Sequence, residues 1–262
     1  MPEGPEVRRE AQNLSNIILG TKLTEIAIVS GRYLKAPIVG ADLIADAQVR
    51  DVRNHGKLII IEAVSNLNEP MYIHSTLGMT GWWAARTSRY ERFELRGDKV
   101  VKFHDPRNFG TIKVVDQKEH DRKIRSLGPD YSRVTLEGID ELNQQTMARI
   151  QRFGSKQTIG QALLDQRIFC GIGNYLRADA LYLTGLSPHH NAKTLDSQRL
   201  EALIMNCALV STAAYQGRSP IAGVNGQYHN VAYGMSKSPN GNRIIAEQID
   251  KRSIWWCPAE QT

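Results

Sequence analysis

Apolar residues recur at helical spacing close to the start of the chain. Val7, Ala11, Leu14, Ile17 and Ile18 fall on one side of a helix expected over residues 6–19. Pro5 suits its first turn, where a missing N–H leaves no helical hydrogen bond unmade. The period then changes. Between residues 22 and 115, short β-rich runs alternate with clusters of Gly and Asn or Asp, predicting strands over 23–29, 57–63, 71–74, 92–96, 100–103 and 111–115. Such a series is expected of an antiparallel sandwich or barrel. The pattern breaks at Leu127-Gly128-Pro129-Asp130-Tyr131-Ser132, and helical periods return over 136–153, 158–164, 173–183 and 196–215. After Gly217 a stretch rich in Gly, Ser, Asn and Pro leads to a hairpin, 242–248 and 253–256, turning at Asp250-Lys251.

The predicted fold class is therefore α+β. An N-terminal helix and β domain cover 1–125, a linker 126–135, a helical domain 136–230, and a small β appendage 231–262. A hinge of this kind is expected to leave a groove between domains, a usual place for a ligand. The chain's 262 residues can bury a sizeable core, and 41% apolar with 23% charged residues is the balance of a globular protein. The longest apolar runs, such as 58–61, are far shorter than a membrane span, and no charged-then-apolar leader precedes the first helix. No membrane or secretory role is expected. Cys170, Cys207 and Cys257 are far apart and odd in number, which argues for a reducing, intracellular setting. No internal repeat or low-complexity tract stands out, and a monomer is expected. A net charge of +6, with a pI near 9.2, fits a polyanionic partner, since Lys and Arg supply phosphate contacts. Charge alone does not separate that from a basic protein without such a partner.

The first six residues, Met1-Pro2-Glu3-Gly4-Pro5-Glu6, bring in chemistry. A small second residue such as Pro2 favours removal of Met1, which leaves a secondary amine at the terminus. An α-amino group titrates near pH 8, well below a lysine, so an appreciable fraction is neutral and nucleophilic near pH 7. Attack on a sugar C1′ would give an iminium that acidifies the C2′ proton and opens a route to strand scission by β-elimination. Glu3 beside it can act as an acid if partial burial raises its pKa. Glu6 lies one helical turn further on. The same acidic residues would equally suit a plain helix start.

Six segments, in order, resemble the formamidopyrimidine-DNA glycosylase and endonuclease VIII family over almost the whole chain. They are the Met-Pro-Glu-Gly-Pro-Glu start, Gly56-Lys57-Leu58, Leu77-Gly78-Met79-Thr80-Gly81, Asp105-Pro106-Arg107-Asn108-Phe109-Gly110, Gln161-Ala162-Leu163-Leu164-Asp165-Gln166, and Gly171-Ile172-Gly173-Asn174-Tyr175-Leu176-Arg177-Ala178. The resemblance implies a β-sandwich domain followed by a helix–two-turn–helix domain and a β-hairpin finger. It also implies a bifunctional DNA glycosylase and abasic-site lyase of base excision repair, acting on damaged duplex DNA without a cofactor.

By that resemblance Pro2 is the nucleophile, Glu3 the general acid, and Lys57 a phosphate-binding aid to elimination. Met79, Arg107 and Phe109 would fill the gap left by a flipped base; apolar wedges commonly unstack DNA in this way. Asn174 opens a helix whose free N–H groups would attract phosphate, and Lys156 is a further candidate phosphate contact. Glu6 would support the site, as would Asp179, which stands where the family usually has Glu.

Two departures matter. Most bacterial members end in a four-cysteine zinc finger, whereas here Asn240, Arg243 and Glu260 occupy cysteine positions and only Cys257 remains. One thiolate cannot make a closed tetrahedral site, and His229 does not replace three ligands. A zincless finger is expected, with no metal, ordered by Ile244, Ile245, Ile254, Trp255 and Trp256, and with Arg252 on its turn facing the lesion phosphate. The second departure is a segment between Gly217 and Tyr233 shorter than in the 8-oxoguanine-specific branch. Oxidised pyrimidines and ring-opened purines are accordingly the expected substrates. Excision of 8-oxoguanine is the alternative within the family, and a catalytically idle DNA-binding protein the alternative outside it.

Overall fold

The computed structural model describes residues 2–133, 138–154, 156–221, 223–250 and 252–262. Leu136 at the expected helix start and Lys251 on the expected turn lie outside them. The chain divides into two compact units, Met1–Pro2 with Glu6–Arg125, and Glu3–Pro5 with Ser126–Thr262.

Helix α1 (Gly4–Ile18), which lies in the first unit from Glu6 onward, buries Val7, Ala11, Leu14 and Ile18, the stripe its spacing predicts. Eight strands follow: β1 (Lys22–Ile28), β2 (Ala47–His55), β3 (Leu58–Val64), β4 (Pro70–Thr76), β5 (Trp82–Ala84), β6 (Glu91–Gly97), β7 (Val101–His104) and β8 (Thr111–Asp116). They form one antiparallel sheet in the order β5-β7-β6-β1-β2-β3-β4-β8. Trp83, Phe93 and Phe103 from one end share a single core with Ile59, Ile61, Ile73 and Val114 from the other. The expected two layers are thus supplied by one continuous sheet. β2 shows no clean alternation in the sequence because a register shift between Val49 and Asp51 changes its phase. Ala47 and Val49 are buried before the shift, Val52 and Asn54 after it.

Helix α2 (Gln117–Ser126) carries no apolar period in the sequence, because nearly all its residues are polar. Its buried residue, His120, stacks on Tyr72 at 3.8 Å, and Tyr72 OH donates to Gln117 at 2.6 Å. His120 Nδ1 lies 2.9 Å from Nε2 of buried His74. Burial, with His120, Lys113 and Lys123 nearby, pushes the His74 pKa down to about 4. The fold therefore favours neutral His74, and this contribution is complete above the unfolded pKa of about 6.5. It is lost as pH falls from there towards 4, costing at most about 3 kcal/mol. Urea unfolding of the whole chain should show stability declining across that window, with a shallower decline for His74→Phe. Equal slopes would remove His74 as the cause.

The second unit contains α3 (Ile139–Phe153), α4 (Ile159–Ala162), α5 (Asn174–Thr184), α6 (Ser197–Gln216) and the hairpin β9 (Ile245–Ile249) with β10 (Arg252–Trp256). A reciprocal cap starts α4: Gln161 N donates to Thr158 Oγ1 and Thr158 N to Gln161 Oε1. Two turns through residues 163–173 lead to α5, whose Leu176, Ala180 and Leu181 share a core with Leu163, Phe169, Leu203, Ile204 and Cys207.

Candidate functional site

Glu3 is only 2% exposed, and its carboxylate closes the N-terminus of α5. Oε1 accepts the Tyr175 N–H at 3.0 Å and Oε2 the Leu176 N–H at 3.3 Å. Those donors and the positive end of the helix stabilise negative charge on Glu3. Gly173 makes the approach possible, because a Cβ there would overlap the Glu3 carboxyl carbon. The expectation that N–H groups at this helix start are free for phosphate is therefore corrected: Tyr175 and Leu176 already serve Glu3. Pro2, half-buried, is its sequence neighbour.

Asn174, the first residue of α5, is tied to the hairpin. Its Nδ2 donates to the Ser253 carbonyl at 2.9 Å, and its Oδ1 accepts from Arg177. Arg177, almost fully buried, also donates to Ser253 O at 2.9 Å and to Gly160 O at 3.0 Å, joining α4, α5 and β10. Burial lowers its pKa to about 10, so the guanidinium remains charged at neutral pH. Arg252 precedes Ser253 and is exposed. It is the first residue of β10, paired with Ile249, and so sits just past the turn rather than on it. Asp250, on the turn with φ 49°, accepts a hydrogen bond from the Gln161 side chain.

Asp179 is fully buried one turn further along α5. Its Oδ1 accepts the N–H groups of Val231, Ala232 and Tyr233 at 2.9–3.2 Å, and its Oδ2 the Tyr228 hydroxyl at 2.9 Å. Burial raises its pKa against the opposing pull of those four donors. It thereby fixes the segment entering the finger. Lys156 is exposed between α3 and α4.

The remaining candidates lie in the first unit. Lys57 is half-buried in the two-residue turn between His55 and Leu58, so the strand begins one residue later than expected. Glu6 forms a half-exposed pair with Arg9 at 3.1 Å, an interaction worth little to stability. Met79 and Phe109 are 37% and 51% exposed on neighbouring loops, and the Arg107 guanidinium lies 5.2 Å from the Phe109 ring centre. One buried carboxylate holds both loops. Asp105 Oδ1 accepts from Thr80 Oγ1 at 2.6 Å and from Arg107 N at 3.1 Å, while Oδ2 accepts from Phe109 N and Gly110 N, both at 2.7 Å. Burial pushes the Asp105 pKa up, but the Thr80 hydroxyl and the three N–H groups outweigh it and hold it low. Gly78, at φ 60°, lets the loops touch; a Cβ there would meet Gly110 N at 2.6 Å.

Asp105, Thr80 and Arg177 lie inside the matched motifs, yet the sequence gives them no role, because their partners depend on how the loops fold. Among the described residues, no group of three or more His, Cys, Asp or Glu is gathered as for a metal ion, and no helix is long and apolar enough to cross a membrane.

Comparison with known proteins places the fold in a family. Residues 1–112 match the formamidopyrimidine-DNA glycosylase N-terminal domain, and residues 135–222 match the helix–two-turn–helix domain of the same enzymes. Endonuclease 8 from Escherichia coli O9:H4 is 26% identical over 100% of both chains, and that from Escherichia coli O6:H1 is 27% identical with the same coverage. The fold matches the MutM (Fpg) protein of Thermus thermophilus with a TM-score of 0.79, at 23% identity, over 99% of this chain and 98% of that one. A Lactococcus lactis Fpg structure with DNA containing an oxidised pyrimidine gives 0.80 at 20% identity over 100% of both. The fold is that of the DNA glycosylases that also cleave abasic sites. This chain belongs to the formamidopyrimidine-DNA glycosylase and endonuclease VIII family. It is a base-excision-repair enzyme whose partner is DNA, and it works inside the cell where that DNA lies.

Proposed function

We propose that the mature chain, with Met1 removed, excises oxidised pyrimidines and ring-opened purines through the Pro2 amine. The observation that carries this reading is the placement of Glu3: a buried carboxylate, fixed by two N–H groups of α5, directly follows the nucleophile. The neutral Pro2 nitrogen attacks C1′; a C–N bond forms and the bond to the damaged base breaks, the base leaving with the electron pair and taking a proton from water. The proton on the new ammonium passes to Glu3 and from there to the ring oxygen as the sugar opens, leaving an iminium. Loss of the acidified C2′ proton then expels the 3′ phosphate by β-elimination, and δ-elimination releases the 5′ phosphate. Hydrolysis of the iminium returns the amine. In this scheme Glu3 starts as the carboxylate its donors favour, and relays a proton instead of holding one at rest.

Lys57, Asn174, Arg252 and Lys156 hold backbone phosphates, while Met79, Arg107 and Phe109 occupy the space of the flipped nucleotide. Asp179 supports the site from within α5, and Glu6 from the first turn of α1. Domain limits of 1–125, 136–230 and 231–262, with a linker at 126–135, are part of this proposal, as is a monomer. The lesion class rests on the short segment between Gly217 and Tyr233. A cleavage panel of duplexes carrying single lesions tests it. Oxidised pyrimidines and ring-opened purines should be cut at least about tenfold more efficiently than 8-oxoguanine, about 1.4 kcal/mol in transition-state binding. The reverse order would move the enzyme to the 8-oxoguanine branch.

A further inference from the structure

The finger lacks the donors that zinc requires, and the structure shows what stands in their place. Of the four positions, Cys257 is fully buried against Ala178, Ala232 and Ile244. Asn240 turns its Nδ2 hydrogens, which would repel a cation, towards Glu260 at 2.9 Å. The Glu260 carboxylate is already saturated. Oε1 accepts from Ser238 Oγ at 2.5 Å and Asn242 Nδ2 at 2.6 Å; Oε2 accepts from Tyr182 OH at 2.7 Å as well as from Asn240. These donors come from the 238–242 turn ahead of β9 and from α5, while Glu260 belongs to the terminal turn after β10. Ser238 closes its own turn as well, through Ser238 N to Asn242 O at 2.8 Å. Nearby, Cys257 N donates to Gln261 Oε1 and Gln261 Nε2 to Leu186 O, seating the terminal turn on the helical unit.

We propose that the Glu260 carboxylate is the ordering centre of this finger: it gathers the 238–242 turn, α5 and the terminal turn as a metal ion would, and thereby positions the hairpin bearing Arg252. A metal gathers lone pairs, whereas a carboxylate gathers hydrogens. The substitution of Asn for a cysteine and of Glu for another therefore work as a pair. The Ser238 hydroxyl, followed by Tyr182 and the two amides, holds the Glu260 pKa down at about 2, so the anionic form persists at any pH where the enzyme works. The consequence for Arg252 rests on the phosphate-binding role proposed above; the ordering role does not.

The test uses the full chain with Met1 removed, comparing the parent with Glu260→Gln, Glu260→Asp, Arg252→Ala and the Glu260→Gln/Arg252→Ala double variant. Hydrogen exchange followed by mass spectrometry reads the finger directly. Glu260→Gln should speed exchange in residues 236–256 by about tenfold or more while the strands of the first unit keep their protection. Glu260→Asp, which retains the charge, should recover part of it. Finger exchange within about twofold of the parent in Glu260→Gln would overturn the proposal. So would loss of protection throughout the chain if Glu260→Asp shares it, because that marks a general folding defect. Cleavage of an abasic duplex supplies the second readout. Glu260→Gln should add less than about twofold to the loss caused by Arg252→Ala, since residues acting through one another do not add. Fully multiplied losses would overturn the positioning step. If Arg252→Ala matches the parent while Glu260→Gln still loosens the finger, the Arg252 reading fails and the ordering role stands. Elemental analysis should find no stoichiometric zinc; one zinc per chain would overturn the substitution outright.

Discussion

Protein that retains Met1 is expected to show neither base excision nor abasic-site cleavage, while still binding DNA. The Pro2 nitrogen is then a tertiary amide, whose lone pair is delocalised into the carbonyl and cannot attack C1′. The expected loss is roughly a thousandfold or more, about 4 kcal/mol of barrier. Mass spectrometry of the terminus paired with an activity assay tests this, and full activity in Met1-bearing protein would defeat the mechanism. Variants of the processed chain sharpen the point. Pro2→Gly keeps an amine and should bind normally but react poorly. Glu3→Gln should lose base excision more than cleavage of a ready-made abasic site. It places a donor amide against the Tyr175 and Leu176 N–H groups, where only an acceptor is satisfied.

Asp105→Asn is expected to produce the second largest effect, because a single carboxylate braces both loops that carry the residues proposed to fill the gap. Asp105 accepts from Thr80 in the Met79 loop, and from Arg107, Phe109 and Gly110 in its own. An amide there cannot accept from all four donors, so at least one buried N–H is left unmet, costing about 1–3 kcal/mol. With the brace weakened, Met79 and Phe109 would lose the rigid placement that the wedge role proposed for them requires. Excision from duplex should then fall about tenfold or more, with a smaller loss on a single-stranded abasic substrate, where unstacking costs least. Urea unfolding and the two cleavage assays separate these contributions. Equal losses on duplex and single strand would count against the bracing role.

Much of this architecture is legible in the sequence, and the gaps have physical causes. The α1 stripe, six strands and the helices flanking the two turns follow from periodicity, which reports burial directly. β2 escapes because a bulge changes its phase, and α2 because one buried histidine among polar residues leaves no period to detect. Glu3 announces itself at the terminus, but its partners on α5 lie more than 170 residues away. Carboxylate hubs are the least legible of all. Asp105, Asp179 and Glu260 each collect four donors from turns and helix ends, and no alternation of apolar and polar residues encodes such a meeting. The finger shows the consequence. Apolar packing was expected to order it, and Ile244 and Ile254 are indeed buried, but Ile245, Trp255 and Trp256 are only partly covered. The polar centre at Glu260 complements them.

The most direct test of the central claim is borohydride reduction of the processed enzyme on duplex DNA with one abasic site, followed by digestion and mass spectrometry of the adduct. Reduction converts the transient iminium into a stable amine and so records which nitrogen attacked. The expected result is a sugar adduct on the N-terminal peptide, localised to Pro2, and absent when Met1 is retained. An adduct on Lys57 or another lysine, or strand cleavage with no adduct at all, would contradict the mechanism.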